Sequence, residues 1–134
     1  VQPLDRIEIR LHDLGDLAGA WDPETRIIWL HHDLTHPERR STIAHELVHA
    51  LRGDEACIDP VLGARQENSV DRVAVRLLIT LDQFAEALAW CADDVAVAHE
   101  LCIDIRMVQA MRESLTADEI AYVEDRLALV EKSA

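Results

Sequence analysis

Apolar and charged residues alternate through Ile7-Glu8-Ile9-Arg10-Leu11, the two-residue period of a half-buried strand. Two further runs, 17–21 and 26–30, flank the turn-forming tetrad Asp22-Pro23-Glu24-Thr25 and predict a hairpin. Its second arm, Ile27-Ile28-Trp29-Leu30, is rich in strand-favouring side chains. The period then changes. Thr35-His36-Pro37-Glu38 matches a capping box with proline in the first turn, which predicts a helix over about 37–52, stopped by Gly53. A second helix is expected over 63–79. From Thr80 onward the chain reads as helical, over 81–90, 94–101, 105–114 and 117–131. Thr80 with Gln83, and Thr116 with Glu119, form further capping boxes.

These elements predict an α+β fold. A small antiparallel or mixed N-terminal sheet packs on the 37–52 helix, and a helical C-terminal half follows. We place a core over residues 1–80 and a helical subdomain over 81–134. There is no repeat, low-complexity tract or long linker. At 134 residues the chain is long enough to bury a real core, and with 4% aromatics that core must be mainly aliphatic. The first residue is Val1 rather than Met, as processing or trimming would leave it.

Charge narrows the choice of partners. The net charge is −13, divided as −5 over residues 1–80 and −8 over 81–134. That argues against a nucleic-acid-binding surface over the whole chain, and an acidic surface favours a basic partner. No apolar run has membrane-spanning length, and no secretory signal pattern opens the chain. Cys57, Cys91 and Cys102 are odd in number and widely spaced, which fits free thiols in a reducing cytoplasm better than disulfides or a cysteine-type zinc site. Cys57 follows His49 by eight residues and could approach a metal held there, although a catalytic zinc seldom needs such a ligand.

The chemistry concentrates in His45-Glu46-Leu47-Val48-His49, an HExxH pattern within the first expected helix. Histidines four apart project from neighbouring turns, about 40° apart around the axis, and can grip one metal ion. Glu46 stands beside that face, where a general base can act on the attacking water. Ile43, Leu47, Ala50 and Leu51 follow helical spacing and predict an apolar stripe on the side away from the histidines. Zinc suits two imidazoles, and a catalytic zinc keeps one position open.

Such a zinc needs a third protein ligand, commonly a carboxylate. The second helix offers Glu67 and Asp71 on one face, bordering a stripe of Val70, Ala74, Leu77 and Leu78. Arg65, Arg72 and Arg76 would project from the opposite side into water. Inward carboxylates are costly unless paired or bound to metal. We assign Glu67 as ligand and Asp71 as acceptor of the other N–H of a ligating histidine, the reverse assignment remaining open. Surface salt bridging to Arg65 or Arg72 is the alternative for both.

The run ERRSTIAHELVHALRGD, followed by ENSVDRVAVRLLI, resembles the ImmA/IrrE-type metallopeptidases of bacteria and their phages. In that family HExxH is paired with E-x-x-A-[DN]-x-F-A-x-x-L-L-x-P, which stands here as Glu67-x-x-Val70-Asp71-x-Val73-Ala74-x-x-Leu77-Leu78. Val70, Val73 and Thr80 replace Ala, Phe and Pro, departures that touch packing more than chemistry. The resemblance covers roughly residues 20–80. It implies a gluzincin-like zinc endopeptidase with a small sheet on its active-site helix. Its implied substrate is a helix-turn-helix repressor or an antitoxin-like partner, cleaved to induce stress or prophage genes.

Candidates for stabilising the oxyanion are His31, His32 and His36 in the loop before the helix, or Tyr122, the sole tyrosine, with solvated loop histidines as the alternative. His12 and His99 read as structural or exposed. Residues 94–115 have the outline of a helix-turn-helix whose second helix offers Arg106, Gln109 and Arg112. Its acidic setting favours packing or partner docking over duplex binding, with Leu101, Ile105, Val108, Met111, Leu115, Ile120 and Leu127 as the buried seam. The leading reading is a cytoplasmic zinc endopeptidase acting on a regulatory protein, with the Ile27–Leu30 strand aligning the substrate by edge pairing. A non-catalytic, zinc-stabilised regulator that sequesters a repressor or antitoxin, and a DNA-binding regulator, are the other readings.

Overall fold

The structure is a computed structural model that describes residues 6–53 and 59–133. Strands β1 (Glu8–His12), β2 (Gly19–Asp22) and β3 (Ile27–His31) precede helices α1 (His36–Arg52), α2 (Pro60–Leu78), α3 (Leu81–Trp90), α4 (Asp94–Leu101), α5 (Ile105–Ser114) and α6 (Ala117–Ser133). The fold is α+β, with a mixed three-stranded sheet in the order β1-β3-β2. β3 pairs parallel to β1, with Glu8 opposite Ile27, and antiparallel to β2, with Gly19 opposite Leu30.

The hairpin turns where its polar tetrad predicts. Asp22 accepts hydrogen bonds from the Glu24 amide at 3.0 Å and the Thr25 hydroxyl at 2.9 Å. β1 departs from expectation, because every one of its residues is exposed, Ile9 by 49% and Leu11 by 52%. α1 packs on β2 and β3, so β1 extends beyond its cover. Ile27, Ile28 and Leu30 of the central strand are buried instead.

α1 obeys its terminal signals. Thr35 and Glu38 complete the capping box, and Gly53 closes the helix at φ 68°. Its buried face is not the expected Ile43–Leu51 stripe. Ser41, Thr42, Ala44, Glu46 and Val48 are buried, whereas Leu51 is 46% exposed. The helix is covered on two sides, by the sheet and by α2, so its buried positions wrap further round than a single stripe. α2 begins at Pro60, three residues before the expected start, because Asp59 caps it through the Val61 and Leu62 amides. It buries Val70, Ala74 and Val75, while Leu77 is 59% exposed. Arg72 and Arg76 do not simply face water: they pair with Glu113 and Glu119.

One hydrophobic cluster runs from Ala44 and Val48 through Val70, Ala74 and Phe84 to Met107 and Met111, continuous across residue 80. Of the expected C-terminal seam, Val108 and Met111 are buried, and Leu101, Leu115 and Leu127 half-buried. Ile105 is exposed, since α5 turns its Met107-Val108-Met111 face onto α2, and Ile120 of α6 is exposed as well. Cys91 and Cys102 are free, half-buried thiols, and Cys57 lies outside the described residues.

Two side chains of α1 join the distant helices to it. The Arg40 guanidinium donates to the carbonyls of Leu101 at 2.9 Å and Cys102 at 2.8 Å, and more weakly to Leu78 at 3.4 Å. The Ser41 hydroxyl accepts from the Asp104 amide at the start of α5. Arg40→Ala strips those carbonyls of a charged donor and should lower the unfolding free energy by about 2–3 kcal/mol. A shift of the urea midpoint with unchanged slope would measure it.

Candidate active site

The pairing of α1 with α2 brings four of the sequence-predicted residues together. His45 and His49 are on the flank of α1 that faces α2, each with 13% of its side chain exposed. The Nδ1–H of His45 donates to Asp71 Oδ1 at 2.7 Å. That leaves His45 Nε2 directed at His49 Nε2, 3.2 Å away, and in close contact with Glu67. His49 Nε2 is 3.2 Å from Glu67 Oε1. Burial alone would lower the His45 pKa, but the Asp71 hydrogen bond and the nearby carboxylates hold it above its ordinary value.

These separations match a cation site. Ligands about 2.0–2.1 Å from a tetrahedral zinc are about 3.3 Å from one another. Two imidazole nitrogens cannot face each other at 3.2 Å with a carboxylate alongside unless a proton or a metal ion lies between them. His45, His49 and Glu67 therefore form a set that could hold a metal ion. Asp71 contacts the ring nitrogen on the far side of His45 from that set.

Glu46 occupies the neighbouring face, against β2, and is 8% exposed. Burial pushes its pKa above the usual carboxylate range, against the pull of His45 and His49. Gly19 makes this packing possible. A Cβ there would meet Thr42 Cγ2 at 2.5 Å, the Trp29 carbonyl oxygen at 3.0 Å and Glu46 Cγ at 3.5 Å. Thr42, one turn before Glu46, has a buried hydroxyl with no hydrogen-bond partner among the described residues.

A cleft of about 720 Å³ opens over these groups. β2 and the residues before it form one wall, α2 the other, and Arg106 of α5 closes one side. Arg106 was legible only as a possible DNA contact, since nothing in the spacing links it to residues some sixty positions earlier. Its Nη1 donates to Asp104 at 2.8 Å, and its Nε lies 3.6 Å from Asp71 Oδ2. Gln109 and Arg112, the other two groups of that helix, bond Glu113 and Asp94.

The expected oxyanion candidates stand elsewhere. His31, His32, His36 and Tyr122 do not line the cleft. Tyr122 donates to Asp82 of α3, His36 is exposed at the first position of α1, and His31 and His32 gather beside Asp13.

The sequence profile of the IrrE N-terminal-like domain, a peptidase family, matches residues 7–119. The chain belongs to this family. Membership gives this IrrE-like domain a metallopeptidase-type role with a protein substrate. No curated protein and no solved structure matches the chain significantly. No helix among the described residues is long and apolar enough to cross a membrane.

Gly19→Ala tests the close approach of β2 to Glu46. The added methyl must displace buried Thr42, so stability should fall by about 1–3 kcal/mol in urea unfolding. A change within about 0.5 kcal/mol would mean that the two elements are not this close.

Proposed function

We propose that this IrrE-like domain is a zinc-dependent endopeptidase in which His45, His49 and Glu67 hold the metal and Glu46 is the general base. The observation that carries the reading is the convergence of three donors from α1 and α2 with separations of 3.2 Å at His49. When bound, zinc supplies a Lewis acid that polarises the scissile carbonyl and acidifies water. Glu46 takes a proton from the attacking water and returns it to the leaving amine. Asp71 fixes the His45 tautomer. Arg106, on the cleft wall, replaces the loop histidines as donor to the developing oxyanion.

Substrate alignment also moves. β3 is paired on both sides and offers no free edge. β2 is an edge strand and lines the cleft, so an extended substrate segment would pair there. We take the substrate to be a regulatory protein of the helix-turn-helix repressor or antitoxin-like kind, on the family resemblance.

Protein purified without added metal should retain one zinc, lost in His45→Ala/His49→Ala; full zinc in that variant would remove the site. Glu67→Ala should lose most affinity, and Asp71→Ala about 10–100-fold. Glu46→Gln should keep zinc and fold while cleavage of a co-expressed neighbouring regulator drops about 10²–10⁴-fold. Undiminished cleavage would assign the base elsewhere.

A further inference from the structure

A second group of potential ligands lies where β3 ends, outside the cleft but beside the strand residues that form its wall. Asp13, His31 and His32 each present a donor atom, all within 4.8 Å of one another. Sheet register places His31 at the end of β3, and His32 follows it into the loop before α1. The two imidazole centroids are 4.6 Å apart, with the rings tilted by 32°.

The hydrogen bonds around these rings set which nitrogens carry protons. His32 Nδ1 is 2.8 Å from Asp33 Oδ1, so Nδ1 carries the proton and Nε2 is free to ligate. His31 Nδ1 accepts the Leu14 amide at 3.0 Å, so that nitrogen is unprotonated, 3.9 Å from Asp13 Oδ1. Asp13 Oδ1 accepts the Gly15 amide at 2.9 Å, which fixes the carboxylate where it is. The Asp13 carboxylate with two imidazoles beside it would attract a divalent cation.

We propose that Asp13, His31 and His32 form a second metal site, which takes zinc and completes its shell with water. Two imidazoles and one carboxylate select a late first-row ion over magnesium or calcium, which prefer oxygen ligands. A zinc there would replace the Leu14 amide as the partner of His31 Nδ1, and small side-chain rotations would bring the three donors to bonding distance. The site is more exposed than the His45 pair, so it binds more weakly.

Its position gives the ion a mechanical consequence. The His31 amide donates to the Ala18 carbonyl at 2.8 Å, and the Leu17 amide to the Leu14 carbonyl at 3.2 Å. Leu17, Ala18 and Gly19 form part of the cleft wall. Zinc bound to Asp13, His31 and His32 therefore pins both ends of the 13–18 segment to the sheet and holds that wall in place.

Titration of the full chain with zinc alone should show a tight equivalent and a weaker one. His45→Ala/His49→Ala should keep only the weaker. Asp13→Asn/His32→Ala should keep only the tight one. Asparagine retains the oxygen that accepts the Gly15 amide, so an unchanged melting temperature separates ligand loss from unfolding. In His45→Ala/His49→Ala, added zinc should shift the amide resonances of residues 13–18, 31 and 32, and magnesium should not. A single equivalent in the wild type would overturn the second site, as would a weaker equivalent that survives Asp13→Asn/His32→Ala. Survival of the tight equivalent in His45→Ala/His49→Ala would instead overturn the peptidase site and leave this one standing.

Discussion

The fold depends on α1 being covered on two sides. Ala44 and Val48 enter the helical core with Val70 and Ala74, while Thr42 and Glu46 press against β2 at Gly19. A helix with a single apolar stripe would leave its histidines in water. Here the two covered faces meet along the line that carries His45 and His49, which are therefore dehydrated enough to be oriented and open enough to be reached. The cleft is the gap that remains between the two covers.

That arrangement concentrates negative charge. Glu46, Glu67 and Asp71 line one cleft with two histidines, and among the described residues Arg106 is the only arginine or lysine that lines it. A series of contacts from Arg106 through Asp71 to His45 crosses three helices. The C-terminal helices thus contribute to the electrostatics of the site and not only to its support. Acidity is tolerable there because His45, His49 and Arg106 offset it locally.

Local signals were readable because they act locally. The three capping boxes, Gly53 as a stop and the Asp22 turn each operate within a few residues, and each is in place. The HExxH spacing and Glu67 with Asp71 were readable because helical periodicity fixes which side chains share a face. What escaped was set by neighbours distant in sequence. The exposure of β1, the wrapped burial of α1, the edge position of β2 and the arrival of Arg106 in the cleft all follow from which element covers which. The Asp59-Pro60 start of α2 was a local signal that went unused.

Arg40 and Ser41 bond groups 38 to 63 positions further along the chain. The order of synthesis then matters. When His45, Glu46, His49, Glu67 and Asp71 have all been synthesised, the residues that bury their helices, Val97 to Met111, have yet to be made. A nascent chain lacks the far half of its core for several seconds at about 5–20 residues per second. A prematurely terminated chain would carry His45, Glu46, His49, Glu67 and Asp71 without the Val97–Met111 part of the core that backs their helices.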